Sequence, residues 1–93
     1  MTLVLKDPAS SLDYRVDWAA SYLDEDVLLE SDWSVLPVEA GGLTIDGSRF
    51  DTGAATVNVS GGQPGKIYRL INQVTMGSGR EDSRSILLRV EVR

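Results

Sequence analysis

The most constraining feature of the chain is a pair of alternating segments near its end, residues 66–76 and 85–93. Alternate side chains of a strand lie on opposite faces, so a period of two predicts strands that each bury one face. Tyr68, Leu70 and Val74 share a face of the first segment, and the glycine-rich turn between the segments suits a chain reversal. The corresponding apolar face of the second segment consists of Ile86, Leu88, Val90 and Val92. The sequence therefore predicts a long antiparallel hairpin that packs against another sheet.

Shorter apolar or alternating segments precede this hairpin, with turn residues between them. These segments are residues 2–5, 12–18, 27–35, 43–45, 48–50 and 55–59. Short strands with turn signals about every 8–12 residues are typical of an antiparallel sandwich. We therefore expect an all-β chain, with residues 1–93 forming a single immunoglobulin- or fibronectin III-like β-sandwich of seven or eight short strands.

The large aromatic side chains are expected to form the core. In segment 12–18, Trp18 lies on the same alternate positions as Tyr14 and Val16. In segment 27–35, Trp33 shares a face with Val27, Leu29 and Val35, although the strand is interrupted near Ser31. Bulky aromatic side chains bury the most apolar area, so Trp18 and Trp33 are predicted structural residues.

Two local features bear on the turns and on residue 68. Asp46-Gly47 is a strong type I′ signal and predicts a hairpin turn. Tyr68 follows Pro64-Gly65 at the start of a strand. In fibronectin-like domains a tyrosine at this position bonds through its hydroxyl to the preceding backbone, and we expect Tyr68 to do the same. Residues 18–26 fit a helical turn, a strand or a turn, and the sequence does not distinguish these.

The net charge of −5 is unevenly distributed, because acids predominate in the first half of the chain and bases in the second. An acidic half repels nucleic-acid phosphates, which argues against nucleic-acid binding. The asymmetry is neutralised either within the chain or between subunits, and the internal alternative is favoured. The absence of cysteine excludes disulfides and thiolate metal sites. No apolar run has the length of a membrane span or a signal sequence, so we expect no membrane partner.

No residue pattern points to catalysis or to a cofactor. The chain has no histidine and no cysteine, which removes the usual general base and the usual thiol nucleophile. We therefore expect no catalytic residues, no cofactor and no enzyme activity. Asp24-Glu-Asp26, with Asp13 or Asp32, offers oxygen ligands to calcium, but a solvated turn explains these acids better. The alternative function is an immunoglobulin-like carbohydrate- or surface-binding module, with or without a requirement for calcium.

The segment between the hairpin arms contains more charge than a tight turn needs. Its charged residues are Arg80, Glu81, Asp82 and Arg84. One interpretation is local salt bridging that fixes the turn. The other is a contact loop at one end of the sandwich, where loops commonly bind partners. These residues are the candidate protein-interaction residues.

The same region resembles a known family. Residues 72–85, followed by an apolar strand, resemble the C-terminal signature of small tailed-phage proteins, and residues 6–18 resemble their N-terminal part. Trp33 and Ser60-Gly-Gly62 lie between these two regions of similarity. Such proteins are sandwich domains encoded among virion structural genes and are described as head–tail or fibre–tail adaptors.

The resemblance implies a non-enzymatic virion protein that folds in the bacterial cytoplasm before assembly. It implies binding to other virion structural proteins, as a homo-oligomer or ring in the particle. We also expect the last strand, which extends to Arg93, to offer an open edge for pairing with a partner strand.

Overall fold

The chain forms two β-sheets that pack face to face. The computed structural model describes residues 2–21 and 26–92. Its elements are β1 (Thr2–Lys6), β2 (Ser11–Asp17), α1 (Trp18–Ser21), β3 (Leu28–Leu36), β4 (Leu43–Phe50), β5 (Ala54–Gly61), β6 (Ile67–Met76) and β7 (Glu81–Val90). The larger sheet has the strand order β1-β7-β6-β3 and the smaller sheet has the order β2-β5-β4. The predicted all-β sandwich of seven or eight short strands is confirmed, with seven strands among the described residues.

Among the strands that the structure describes, all pairs are antiparallel except one, because β1 runs parallel to β7. This one pair departs from the antiparallel pattern that the sequence predicts, while the four other pairs follow it. No tight hairpin joins these two strands, so nothing in their connection imposes an antiparallel arrangement. The third, sixth and seventh strands share one sheet and the second, fifth and fourth share the other. The first strand pairs with the last at one edge of the larger sheet.

The core lies between the sheets in two neighbouring clusters. The first contains Leu43, Val57, Val59, Tyr68, Leu70, Leu88 and Val90, and the second contains Val16, Trp18, Leu28, Val74 and Met76. Trp18 is fully buried, whereas Trp33 is half-buried and packs against both clusters. Alternation along β5 and β6 places their inward side chains in this core, as the period of two predicts.

β-Bulges overturn two local predictions. The pairing of β3 with β6 shifts register between Leu28 and Glu30, so Leu28 is buried while Val27 and Leu29 are exposed. The prediction that Val27 and Leu29 share a core face with Trp33 was therefore wrong, since the extra residue reverses the alternation. Asp46-Gly47 is likewise no hairpin turn, because β4 continues through it with a register shift.

The hairpin differs from its predicted limits at both ends of β7. That strand begins at Glu81, so the predicted contact loop between the arms is largely β-structure. It ends at Val90 and lies between β1 and β6, so the prediction that the final strand offers an open edge was wrong. Val92 lies beyond the strand and is exposed, and it does not continue the buried face.

Backbone and side-chain bonds tie the start of the chain to both sheets. The Lys6 side chain is buried, and its Nζ donates to Asp7 O and Gly61 O at 2.8 Å. Burial lowers the pKa of this amine.

Of the three structures that the sequence allows for residues 18–26, the helical turn is the one found at the start of this segment, as α1. Residues 22–25 lie outside the described part of the chain. Ala19 N–H donates to Gly53 O at 2.9 Å, which fixes α1 to the β4–β5 turn.

Candidate protein-interaction face

A row of large side chains crosses the outer surface of the larger sheet. The register places Leu3 opposite Leu87, and Leu87 opposite Arg69. Arg69 in turn lies opposite Leu36 on the far edge strand. Side chains directly opposite on neighbouring strands contact one another on the shared face. The row therefore joins all four strands of the larger sheet.

A second row lies beside the first. Leu5 is opposite Arg89, and Arg89 is opposite Ile67. Ile71, two residues along β6 from Arg69, is half-buried on the same outer surface. We define the apolar face as Leu3, Leu5, Leu36, Ile67, Ile71 and Leu87.

About half of the surface of several side chains in the apolar face is exposed to water. Leu3, Leu36 and Ile67 have 56%, 53% and 51% of their surface exposed. Single exposed apolar side chains are ordinary, but a contiguous group across one sheet face is typical of an interaction site. Removing such a surface from water is favourable by about 25 cal/mol per Å². The larger sheet thus presents apolar side chains on both of its faces.

Two arginines interrupt this apolar surface. Arg69 has no ion pair within the residues that the structure describes, and its side chain is exposed. Arg89 Nε bonds to Glu91 Oε1 at 2.7 Å. Arginine combines a planar donor group with an apolar stem, and it is enriched in protein–protein interfaces. The chemistry of the face is therefore apolar with a positive component.

The outer surface of the smaller sheet is polar throughout. Cross-strand rows on it are Ser11–Ser60–Thr44, Asp13–Asn58–Gly47 and Arg15–Thr56–Arg49. The Asn58 amide donates to the Asp13 carboxylate across the strands. We call these residues the polar face. The outer surface of the larger sheet differs from it because the apolar face occupies part of that surface.

The predicted interaction residue Arg80 lies at the tip of the β6–β7 hairpin. Its guanidinium is 3.7 Å from Asp26 Oδ2. Asp26 also accepts bonds from the Ser78 hydroxyl at 2.6 Å and from the Ser78 N–H at 3.2 Å. These bonds, with the Ser78 hydroxyl bond first, lower the pKa of the Asp26 carboxyl. Asp26 therefore fixes the hairpin tip through Ser78 and Arg80.

The other predicted interaction residues lie among the first four residues of β7. The Arg84 guanidinium lies over the Trp18 ring, 4.9 Å from its centroid. Glu81 is exposed and Asp82 half-buried, and both pair with β6 residues through the backbone. The structure thus brings Arg80, Asp82 and Arg84 to one end of the sandwich, with Arg80 and Arg84 in intramolecular contacts.

Tyr68 joins the start of β6 to two loops. The Gln63 N–H donates to the Tyr68 hydroxyl at 3.0 Å, which is the expected bond to the upstream backbone. The hydroxyl itself donates to Glu39 Oε1 at 2.7 Å, and Lys66 Nζ bonds to Glu39 Oε2 at 2.7 Å. Bonds from Lys66 and then Tyr68 hold the pKa of Glu39 below its ordinary value.

Two of the three ion pairs described above connect the acidic half of the chain with the basic half. They are Glu39–Lys66 and Asp26–Arg80. The uneven charge is therefore partly neutralised within the chain, as the favoured alternative predicts. Among the described residues, no group of acids is arranged to hold a metal ion, and Asp24 and Glu25 lie outside them. None of the helices that the structure describes has the length and apolar character needed to cross a membrane.

Sequence reasoning missed the apolar face. Its members come from four strands, and their contact depends on the strand order, which alternation alone does not provide. A signal was nevertheless present in the hairpin. Ile67, Ile71 and Leu87 are apolar at positions where alternation requires polar residues. A hairpin that is apolar on both faces indicates a sheet covered on both sides.

Comparison with known proteins agrees with the resemblance found in the sequence. The family model described as podophage GP4 fiber-tail adaptor protein gp77 matches residues 6–89. No curated protein matched the chain. Because the match covers well over half of the sequence, the protein belongs to the podophage GP4 fiber-tail adaptor protein gp77 family.

Proposed function

We propose that this protein is a non-enzymatic structural component of a podophage virion, which connects a fibre to the tail by binding other virion proteins. Family membership supports the adaptor role. We further propose that the chain folds in the cytoplasm of the bacterial host as one domain and binds in the particle as one of a ring of copies.

The observation that carries this proposal is the contrast between the two outer surfaces of the sandwich. The polar face has the composition of a surface that stays in water, whereas the apolar face does not. An adaptor needs a surface that is stable when exposed during assembly and more stable when covered. Exposed apolar side chains separated by Arg69 and Arg89 meet this requirement, because the arginines place hydrated charged groups between the apolar side chains.

The charges favour a different protein, rather than a second copy, as the partner on this face. Two copies packed face to face would bring their Arg69 guanidinium groups into one desolvated contact, whereas Arg89 is already paired with Glu91. The polar face of another copy offers no apolar side chains to cover Leu36 or Ile67. We therefore expect a virion partner that presents apolar residues together with acidic ones. A ring of copies then reflects a ring of such sites on the tail.

Incorporation into particles tests this proposal. Leu36→Gln with Ile67→Gln keeps the size of the side chains and makes the exposed face polar. We expect the double variant to fall at least about tenfold in copies per particle, since covering these residues supplies binding free energy. Peptide counts in purified virions, scaled to the capsid protein, give the copy number.

The matched control lies on the polar face. Thr44→Gln with Arg49→Gln changes two exposed residues of β4 and should leave incorporation unchanged. Thermal unfolding of the purified variants checks that both pairs fold. Normal incorporation of a folded Leu36→Gln, Ile67→Gln variant would exclude the apolar face as the binding surface.

A further inference from the structure

We infer that the open edge of β1 takes up an extended segment of the virion partner as an added β-strand. The inference rests on the proposed function and specifies how the partner is held. The larger sheet ends at β1 and β3, and the smaller sheet ends at β2 and β4. Each edge strand exposes a row of backbone groups on which another strand can pair. The four edges differ in how far they are protected against such pairing.

Three of the edges carry features that oppose strand addition. A bulge interrupts β3 between Leu28 and Glu30, and another interrupts β4 between Ile45 and Gly47. β2 is regular, but its outward side chains are the alternating charges Asp13, Arg15 and Asp17. Bulges and charged side chains are the usual means by which edges avoid pairing with other chains.

β1 has none of these protections in its described residues. Its register with β7 is continuous from Thr2 to Lys6. Leu3, Val4 and Leu5 carry no charge and no proline interrupts them. The charge of Lys6 is directed inward, where its Nζ donates to Gly61 O at 2.8 Å.

The hydrogen bonds to β7 fix which backbone groups of β1 face outward. Glu91 N–H donates to Lys6 O at 2.9 Å, so the backbone groups of Lys6 point toward β7. Backbone groups of successive strand residues point to opposite sides, and Val4 therefore also faces β7. The N–H and C=O groups of Leu3 and Leu5 point to the open edge. These groups can bond an added strand without any change in the β1–β7 pairing.

The same two leucines belong to the apolar face. Their side chains lie on the outer surface, opposite Leu87 and Arg89, while their backbone groups point to the edge. An added strand would therefore extend the apolar face by one strand and place its alternate side chains beside Leu3 and Leu5. The partner segment that fits is extended, with apolar residues at alternate positions.

A second copy of the chain fits less well. Two copies paired through β1 would leave Leu36 and Ile67 uncovered, because these residues lie on β3 and β6, away from that edge. Their net charge of −5 each would also oppose association. A partner that adds a strand and also covers the face uses both features together.

Amide hydrogen exchange provides the direct test, with the free protein compared with the protein in purified virions. We expect exchange at the Leu3 and Leu5 amides to slow by at least about tenfold in the virion, because each acquires a hydrogen-bond partner. Residues 11–17 of β2 should exchange equally in both states. Mass spectrometry with fragmentation that preserves deuterium resolves the individual amides.

A substitution pair tests the same backbone groups independently. Leu3→Pro removes an N–H that faces the open edge and leaves the β1–β7 bonds intact, whereas Leu3→Ala shortens the side chain and keeps the N–H. We expect Leu3→Pro to lower incorporation by about tenfold relative to Leu3→Ala. Thermal unfolding checks that the two variants are equally folded.

The outcomes separate this inference from the proposed function. A protein that is incorporated through the apolar face, with unprotected Leu3 and Leu5 amides and equal incorporation of the Leu3 variants, overturns the added strand alone. A protein absent from virions overturns both. Protection of these amides in the free protein, together with a dimer in sedimentation, would assign the edge to a second copy and overturn the inference.

Discussion

The indole N–H of Trp18 donates to the side-chain oxygen of Asn72 across 2.9 Å in the interior of the sandwich. Neither residue has exposed surface. The Asn72 amide donates to Ser31 Oγ at 2.9 Å and to Asp32 O at 3.2 Å. One polar side chain on β6 therefore holds both α1 and the edge strand β3. The bond to Trp18 is buried and the two bonds to β3 are partly buried, so water competes little for the groups that Asn72 binds.

Replacing Asn72 by leucine should destabilise the protein although leucine has a similar volume. The Trp18 N–H would remain buried without an acceptor, and the bonds to β3 would be lost. We expect a loss of about 2–4 kcal/mol in the free energy of unfolding. Urea unfolding measures it, with Gln73→Leu at the exposed neighbouring position as the control. A change below about 0.5 kcal/mol would show that the network contributes little.

Much of the fold follows from alternation in the sequence, and its failures have specific causes. The inward residues of β5 and β6 follow the period of two because no bulge interrupts their pairing with β2 and β7. In β3, the extra residue Leu29 reverses the alternation of inward and outward side chains. In β4, Asp46-Gly47 forms a bulge within the strand and not the predicted turn. A bulge depends on the partner strand, which the local sequence does not contain.

The candidate site was less predictable for a related reason. The sequence indicates Arg80 and Arg84 as candidates because the turn contains more charge than it needs. Their partners Asp26 and Trp18 lie in distant parts of the chain, so the sequence does not show these contacts. The sequence gives no sign of an interaction role for the leucines of the apolar face, because each is an ordinary strand residue. Only the order of the strands shows that Leu3 and Leu87 are adjacent.

Tyr68→Phe should destabilise the protein while preserving the packing of the ring. The variant loses the acceptor for the Gln63 N–H and the donor to Glu39. Because the Tyr68 side chain is fully buried, we expect a loss of about 1–3 kcal/mol. Thermal unfolding at neutral pH measures it, and Tyr14→Phe is the control since the Tyr14 hydroxyl has no bond partner in the described residues. Equal effects of the two changes would contradict a structural role for the Tyr68 hydroxyl.

Stability should fall in acid because several carboxylates are held ionised by the fold. Hydrogen bonds lower the pKa of Glu39, and those from Gly53 and Ala54 lower the pKa of Asp51. The unfolded chain then binds protons more readily than the folded one. The contribution is complete at neutral pH and is lost as the pH falls below the ordinary values, 4.5 for Glu39 and 3.8 for Asp51, toward the lowered folded values.

Glu39→Gln tests this pH dependence. The variant should lose less of its melting temperature between about pH 7 and about pH 3 than the unaltered protein does. Calorimetry at a series of pH values gives the slope, and Gln73→Ala controls for a surface change without a carboxyl group. An unchanged slope in Glu39→Gln would assign the acid sensitivity to other groups.

The arginines at the hairpin end should contribute modestly to stability. Arg80 is exposed and makes a long ion pair, whereas Arg84 covers the Trp18 ring. We expect Arg80→Ala to cost about 0–1 kcal/mol and Arg84→Ala about 0.5–1 kcal/mol in urea unfolding. Copy number in purified particles should stay unchanged for both variants if the apolar face makes the contact. A loss of incorporation with intact folding would instead assign the contact to Arg80 or Arg84.

Gly62 and Gly65 both have a positive φ, but only at Gly62 would a Cβ also clash with neighbouring atoms. Gly62 has φ +101°, and a Cβ there would lie 2.6 Å from Val90 Cγ2 and 3.5 Å from Tyr68 Cε2. Gly65 has φ +85°, and a Cβ there would meet no atom within 4 Å. Both positions disfavour a side chain through φ, but only Gly62 lies against buried core residues.

We therefore expect Gly65→Ala to cost about 1 kcal/mol from backbone strain alone. Gly62→Ala should cost at least about 3 kcal/mol, because Val90 has to move within the packed core or the β5–β6 turn has to shift. Urea unfolding of the two variants compares them at the same chemical change. Equal losses would mean that the core beside Val90 adapts freely, and that strain in the backbone is the whole cost at both glycines.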